Sequence, residues 1–138
     1  METVFISGPK GIRGRMRVLI VEGNPDLGWI WRRHLERRGC AVTLAHSQEE
    51  AIEVMRAQTP NIIVLDLVLE DGSAFAIADF ASYRHPLAKI IFVTNTDFFS
   101  DGSIFQHIPN ACALMPAQVE PDDLSALVEH YGSDQKVT

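Results

Sequence analysis

From Arg17 onward, short runs of β-branched and aliphatic residues alternate with longer stretches whose apolar positions recur every three or four residues. This pattern predicts parallel strands joined by helices that cover both faces of a sheet. Val18–Val21 form the first strand. Asn24 then caps a helix, with Pro25 in its first turn, and Gly39 stops it after about Arg38. Leu27, Ile30, Trp31 and Leu35 make the expected buried stripe of that helix, and Trp29 lies off it. Cys40 to Ala45 read as strand two. Ser47-Gln48-Glu49-Glu50 is a capping box that opens a helix through about Gln58. Asn61 to Leu65 is apolar on both faces after its first residue, as a central parallel strand must be, and it ends on Asp66. A third helix runs to about Tyr83. Lys89 to Val93 form strand four, which ends on Thr94. Residues 97–107 predict a short or distorted helix, because Gly102 sits in the middle. Ala111 to Leu114 form the last strand. Leu124, Leu127, Val128 and Tyr131 mark a final helix, whose positive end carries Asp122 and Asp123.

The expected fold is α/β, a doubly wound five-stranded parallel sheet. Residues 17–131 make one domain, residues 1–16 an N-terminal extension punctuated by Gly8, Pro9, Gly11 and Gly14, and residues 132–138 a C-terminal tail. Met16 is a candidate alternative start. With 138 residues, 46% of them hydrophobic and 22% charged, the chain can bury a core of its own, which excludes disorder as its main state. No apolar run reaches the ~20 residues of a bilayer crossing, and the N-terminus lacks a signal pattern, so the expected location is cytoplasmic with no membrane partner. Cys40 and Cys112 lack metal-ligand or disulfide spacing and read as buried thiols. Residues 1–38 hold eight Lys/Arg against four Asp/Glu, and the remainder holds four against fourteen. So acidic a body repels a phosphate backbone, and nucleic acid is not an expected partner.

In an open parallel sheet, ligand-binding groups gather at the carboxyl ends of the strands. Glu22, Asp66, Thr94 and the Met115-Pro116 pair stand there. Two carboxylates and a hydroxyl are therefore expected to converge.

The line VLIVEGNPDLGWIWRRHLERRGCAVTLAHSQEEAIEVMRAQTPNIIVLDLVLEDGSAF, with its DLxLxDGS segment, resembles the receiver domain of two-component response regulators. The likeness extends over essentially all of residues 17–131. It implies the flavodoxin-like (βα)5 receiver fold and a role in phosphorelay signalling. By resemblance, Asp66 stands where the family accepts a phosphoryl group from a histidine kinase or histidine phosphotransferase. Thr94 stands at the switch hydroxyl, and Glu22, Asp66 and the Val68 backbone stand at the Mg²⁺ site.

Three positions depart from the family. Gly23 replaces the second acid after strand one, Met115 replaces the lysine before the final proline, and Cys112 replaces the aromatic switch residue. Losing one anionic ligand weakens Mg²⁺ or removes it. Losing the lysine takes away a positive charge aimed at the phosphoryl oxygens. A cation bridging Glu22 and Asp66 is still conceivable, since Gly23 vacates space beside them. Two modes of one fold follow: a stand-alone receiver phosphorylated on Asp66, or a degenerate receiver that binds partners without phosphate. The Met115-Pro116 bond is a candidate cis peptide.

Output would pass to a separate protein or through a homodimer. Arg32, Arg33, Arg37 and Arg38 read as a solvated helix face, and exposed Trp29 is the stronger contact candidate. Phe98, Phe99, Ile104 and Phe105 suggest an apolar partner patch. His34, His46, His85, His107 and His130 share no metal spacing. An α/β enzyme is disfavoured. Glu22-Gly23-Asn24-Pro25 is no phosphate-cradling loop, and Asp66-Leu67-Val68 lacks the second acid of an aspartyl-phosphate hydrolase.

Overall fold

Five runs rich in Val, Ile, Leu and Ala pair edge to edge in a computed structural model, which describes residues 15–94, 108–116 and 118–137. In chain order the elements are β1 (Arg17–Val21), α1 (Pro25–Arg37), β2 (Ala41–Ala45), α2 (Gln48–Ala57), β3 (Ile62–Asp66), α3 (Ala74–Arg84), β4 (Lys89–Thr94), β5 (Ala111–Pro116) and α4 (Pro121–Val137). All pairings are parallel, in the order β2-β1-β3-β4-β5. The order reverses at β1, whose neighbours are β2 on one side and β3 on the other. The carboxyl ends of β1 and β3 therefore flank the crevice where doubly wound sheets bind ligands.

Side chains alternate across the sheet and build two cores. Leu19, Val21, Ile63, Leu65, Ile90 and Phe92 face α2 and α3, meeting Met55, Ile77 and Ala78. Val18, Ile20, Ile62, Val64, Ile91 and Val93 face α1 and α4, meeting Trp31, Leu35, Leu124 and Val128. The central strands are buried on both faces, which accounts for their unbroken apolar text. The Nε1 of buried Trp31 has no hydrogen-bond partner among the described residues.

Helix ends follow the sequence signals. Asn24 accepts from the Asp26 and Leu27 N–H groups, and Ser47 from Glu50 N–H. The Glu50 side chain reaches back to His46 N–H, one residue before the Ser47 cap. Ser73 caps α3 by accepting from Ala76 N–H. Gly39 lies at φ 94° just past α1, a conformation that L side chains resist.

Two expectations are corrected. Ile30 is 47% exposed, and Gly28 takes the buried place beside Trp31 and Leu35. Its missing side chain lets the helix approach Leu44 Cδ2, which lies 3.1 Å from where a Cβ would stand. The Met115–Pro116 bond is trans, since no described peptide is cis. Met115 and Pro116 continue β5 in register with Val93 and Thr94, so the chain makes no turn there. The last helix continues past Tyr131 to Val137. Residues 1–14 and 97–107, with Phe98, Phe99, Ile104, Phe105 and His107, lie outside the described residues. Among the described residues no helix is long and apolar enough to cross a membrane.

Candidate functional site

Glu22 follows the last residue of β1 and is 4% exposed. Its N–H donates to Ala45 O at 3.0 Å, which fixes it between β1 and β2. Its side chain lies over Gly28, where an added Cβ would come 3.6 Å from Glu22 Cβ. Asn24 N–H donates to Glu22 Oε2 at 3.2 Å, and His46 Nδ1 lies 3.1 Å from the Glu22 carbonyl oxygen. Asp66 ends β3, and its Oδ1 accepts from Val68 N–H at 3.0 Å.

The two carboxyl groups face each other across the crevice, close enough for each to shift the other's titration. Burial, followed by the Asp66 charge, pushes Glu22 up to about 7. Burial raises Asp66 as well, while the Val68 N–H and Glu22 oppose that rise. Protonation of one carboxyl group therefore depends on the charge of the other.

Thr94 is buried at the end of β4, one residue beyond Val93, the register partner of Asp66. The sheet thus brings three expected residues, Glu22, Asp66 and Thr94, to one edge. Met115 pairs with Val93 and packs against the α1–α4 core, so an apolar thioether occupies the end of β5. Cys112 is half-buried against that same core, and burial lifts its thiol to about 11. Among the described residues nothing lies within 4 Å of a would-be Cβ on Gly23, which leaves space there beside Glu22. Val68 is exposed on the loop beyond Asp66.

A divalent cation is held by oxygen ligands, and Mg²⁺ commonly uses one or two protein carboxylates plus water and phosphate. Two carboxyl groups whose pKa values are both raised by burial fit such an ion, because its charge offsets the cost of taking theirs out of water. No third His, Cys, Asp or Glu joins them among the described residues. Any cation here would take the rest of its shell from backbone carbonyl, solvent or phosphoryl oxygens.

Trp29 is 52% exposed, and the Arg33 guanidinium lies 4.8 Å from its ring centroid. Arg32 pairs with Glu36, and Arg38 holds Glu129 of α4 with two bonds of 2.9 and 3.0 Å. Sequence reasoning missed the roles of Gly28 and His46 beside Glu22. A glycine inside an otherwise amphipathic helix was the one available sign of close approach.

A doubly wound sheet with paired acids at its switch point offers a place for a cation or a phosphate at the carboxyl ends of its strands. The model of the response regulator receiver domain matches residues 18–103, and the chain belongs to that family. It is therefore a response regulator receiver domain, of the kind found in two-component systems. The chain is 24% identical over 124 residues to the DNA-binding transcriptional regulator NtrC of Escherichia coli K12, covering 86% of this chain and 26% of that protein. It thus spans about a quarter of the length of the curated relatives it matches. Among solved structures, a CheY-like receiver domain protein from Methanospirillum hungatei superposes with TM-score 0.81 at 24% identity, over 89% of this chain and 98% of that one. A response regulator from Burkholderia pseudomallei, solved with a phosphorylated aspartic acid, a calcium ion and citrate, gives 0.74 at 22%, over 88% and 71%.

Proposed function

We propose that this receiver accepts a phosphoryl group on Asp66 and signals by changing its affinity for another protein. The observation that carries the reading is buried Glu22 facing half-buried Asp66 at the β1/β3 crevice, with Thr94 at the end of the adjacent strand β4. An Asp66 carboxylate oxygen attacks the phosphorus of a phosphohistidine on a histidine kinase or phosphotransferase. The P–O bond forms as the P–N bond breaks, and the departing imidazole nitrogen takes a proton from water. Val68 N–H orients Asp66 by holding Oδ1. The Thr94 hydroxyl donates to a phosphoryl oxygen. Glu22 and Asp66, with the Val68 carbonyl, would hold Mg²⁺, which supplies the positive charge that phosphoryl transfer requires. Met115 offers no such charge, so transfer is slow beside that of a receiver with a lysine. Trp29, backed by Arg33, is the contact for the phosphodonor on α1, and output runs to a separate protein or through a homodimer.

Gly23 and Met115 favour a second reading, in which the same fold binds its partner without phosphate. Intact mass spectrometry after incubation with a small-molecule phosphodonor and Mg²⁺ separates the two. The first reading expects one phosphoryl adduct that Asp66→Asn abolishes. No adduct, while a typical receiver labels in parallel, would establish the second.

A further inference from the structure

β2 is an edge strand, and among the described residues its outer side is satisfied only at the two ends. The ladder to β1 uses Ala41, Thr43 and Ala45, bounded by Ala41 N–H to Met16 O at 2.8 Å and Glu22 N–H to Ala45 O at 3.0 Å. The intervening residues aim their backbone groups outward. At the start of the strand the Arg15 side chain donates to Gly39 O and Cys40 O, at 3.4 and 3.5 Å. Beyond its end His46 N–H donates to Glu50 Oε1 at 2.8 Å. Between these, the N–H and C=O groups of Val42 and Leu44 have no partner among the described residues. A groove of about 540 Å³ runs beside this edge, bordered by Glu36 of α1 and by Ala57 and Gln58 at the end of α2.

We propose that this edge joins two copies of the chain, β2 against β2, antiparallel about a two-fold axis through Thr43. In that register Val42 lies opposite Leu44 of the second copy, and Leu44 opposite Val42. Directly opposed residues of an antiparallel pair exchange both N–H···O bonds, so all four open groups of each copy close at once. Thr43 meets its own counterpart, a favourable cross-strand pair. Cys40 comes opposite His46, which sets Arg15, anchored on the Cys40 carbonyl, beside Glu50, anchored on the His46 amide. Opposite charges meet twice by symmetry. A parallel arrangement would bring Arg15 to Arg15 and Glu50 to Glu50. Hydrogen-bond register and charge thus select a second copy of this chain, and the five-stranded sheet extends across the axis to ten strands.

Sedimentation velocity of the full chain over a concentration series tests this, together with amide exchange read residue by residue. A monomer–dimer equilibrium that weakens with added salt is expected. The Val42 and Leu44 amides gain protection as concentration rises, while the Thr43 and Ala45 amides are protected throughout. Thr43→Lys places like charges at the axis and abolishes the dimer. Arg15→Glu and Glu50→Arg each weaken it about tenfold or more, the scale of two surface contacts turned repulsive. An equimolar mixture of the two variants restores it, because the mixed dimer has opposite charges at both contacts. Circular dichroism melts check that each variant folds, and Arg15→Glu, which touches no helix cap, carries the test if Glu50→Arg does not. Monomer at every concentration, with Val42 and Leu44 exchanging freely, overturns the proposal. A dimer undiminished in Thr43→Lys and Arg15→Glu overturns it too, by putting the contact elsewhere.

Discussion

Glu22 shows how much a side chain's chemistry depends on what surrounds it. Its position at the end of a strand is legible in the text, since Val18–Val21 end on it whatever the rest of the chain does. Its acidity is not legible, because burial over Gly28 and the approach of Asp66 come from residues distant in sequence. The folded pKa of about 7 lies above the ordinary 4.5, so the folded chain keeps a proton that the unfolded chain releases. Stability contributed by that proton is present at low pH and is lost as pH rises through about 7. Glu22→Gln keeps the shape and removes the buried charge. At pH 8 it should stabilise the fold by about 1–2 kcal/mol, reduced from the full shift because solvent screens part of the site. At pH 5 the gain should be small. Thermal melts at the two pH values check this, and an equal gain at both would exclude burial of the charge as the cause.

At the scale of elements, the sequence of α1 marks its ends clearly and its buried face poorly. Asn24, Pro25 and Gly39 are local signals, and local signals survive folding. The buried stripe depends on how the helix rolls against β2. Periodicity accommodates Ile30 or Gly28 beside Trp31 and Leu35 equally well, and only contact with Leu44 and Glu22 chooses the glycine. The cap can be tested apart from the site. Asn24 Oδ1 accepts from Asp26 N–H at 3.0 Å, while the Asn24 backbone N–H serves Glu22. Asn24→Ala removes the first bond and spares the second. It should cost about 1 kcal/mol, a fall of roughly 3–5 °C in Tm, and leave the pH dependence set by Glu22 unchanged. Asn24→Ser should recover most of the loss. Melting curves at pH 5 and pH 8 for the three proteins decide it, and an alanine variant as stable as the parent would show the cap to be idle.

Across the whole molecule, the strand order turns sequence-distant acids into neighbours, and that same topology decides what a cation can gain. The doubly wound sheet was readable from its alternating text, so the meeting of the β1 and β3 ends followed. The text shows the open space at Gly23 only in outline, and the two-sided core beneath the crevice depends on packing that no single segment encodes. Gly23 is not among the described glycines at positive φ, so an aspartate can stand there without backbone strain. Without a cation, Gly23→Asp adds a third negative charge beside Glu22 and Asp66, and the fold should lose stability above pH 7. With Mg²⁺ the same charge becomes a ligand. An ion that binds only the folded chain stabilises it by RT ln(1 + [L]/Kd), so a site about tenfold tighter gains about 1.4 kcal/mol more at saturating Mg²⁺. Thermal melts of parent and variant against rising Mg²⁺ should therefore cross, the variant starting lower and finishing higher. Parallel curves would mean that the ion does not sit between these carboxylates, and the charge of the crevice would then have to be balanced by the proton that Glu22 already holds near neutrality.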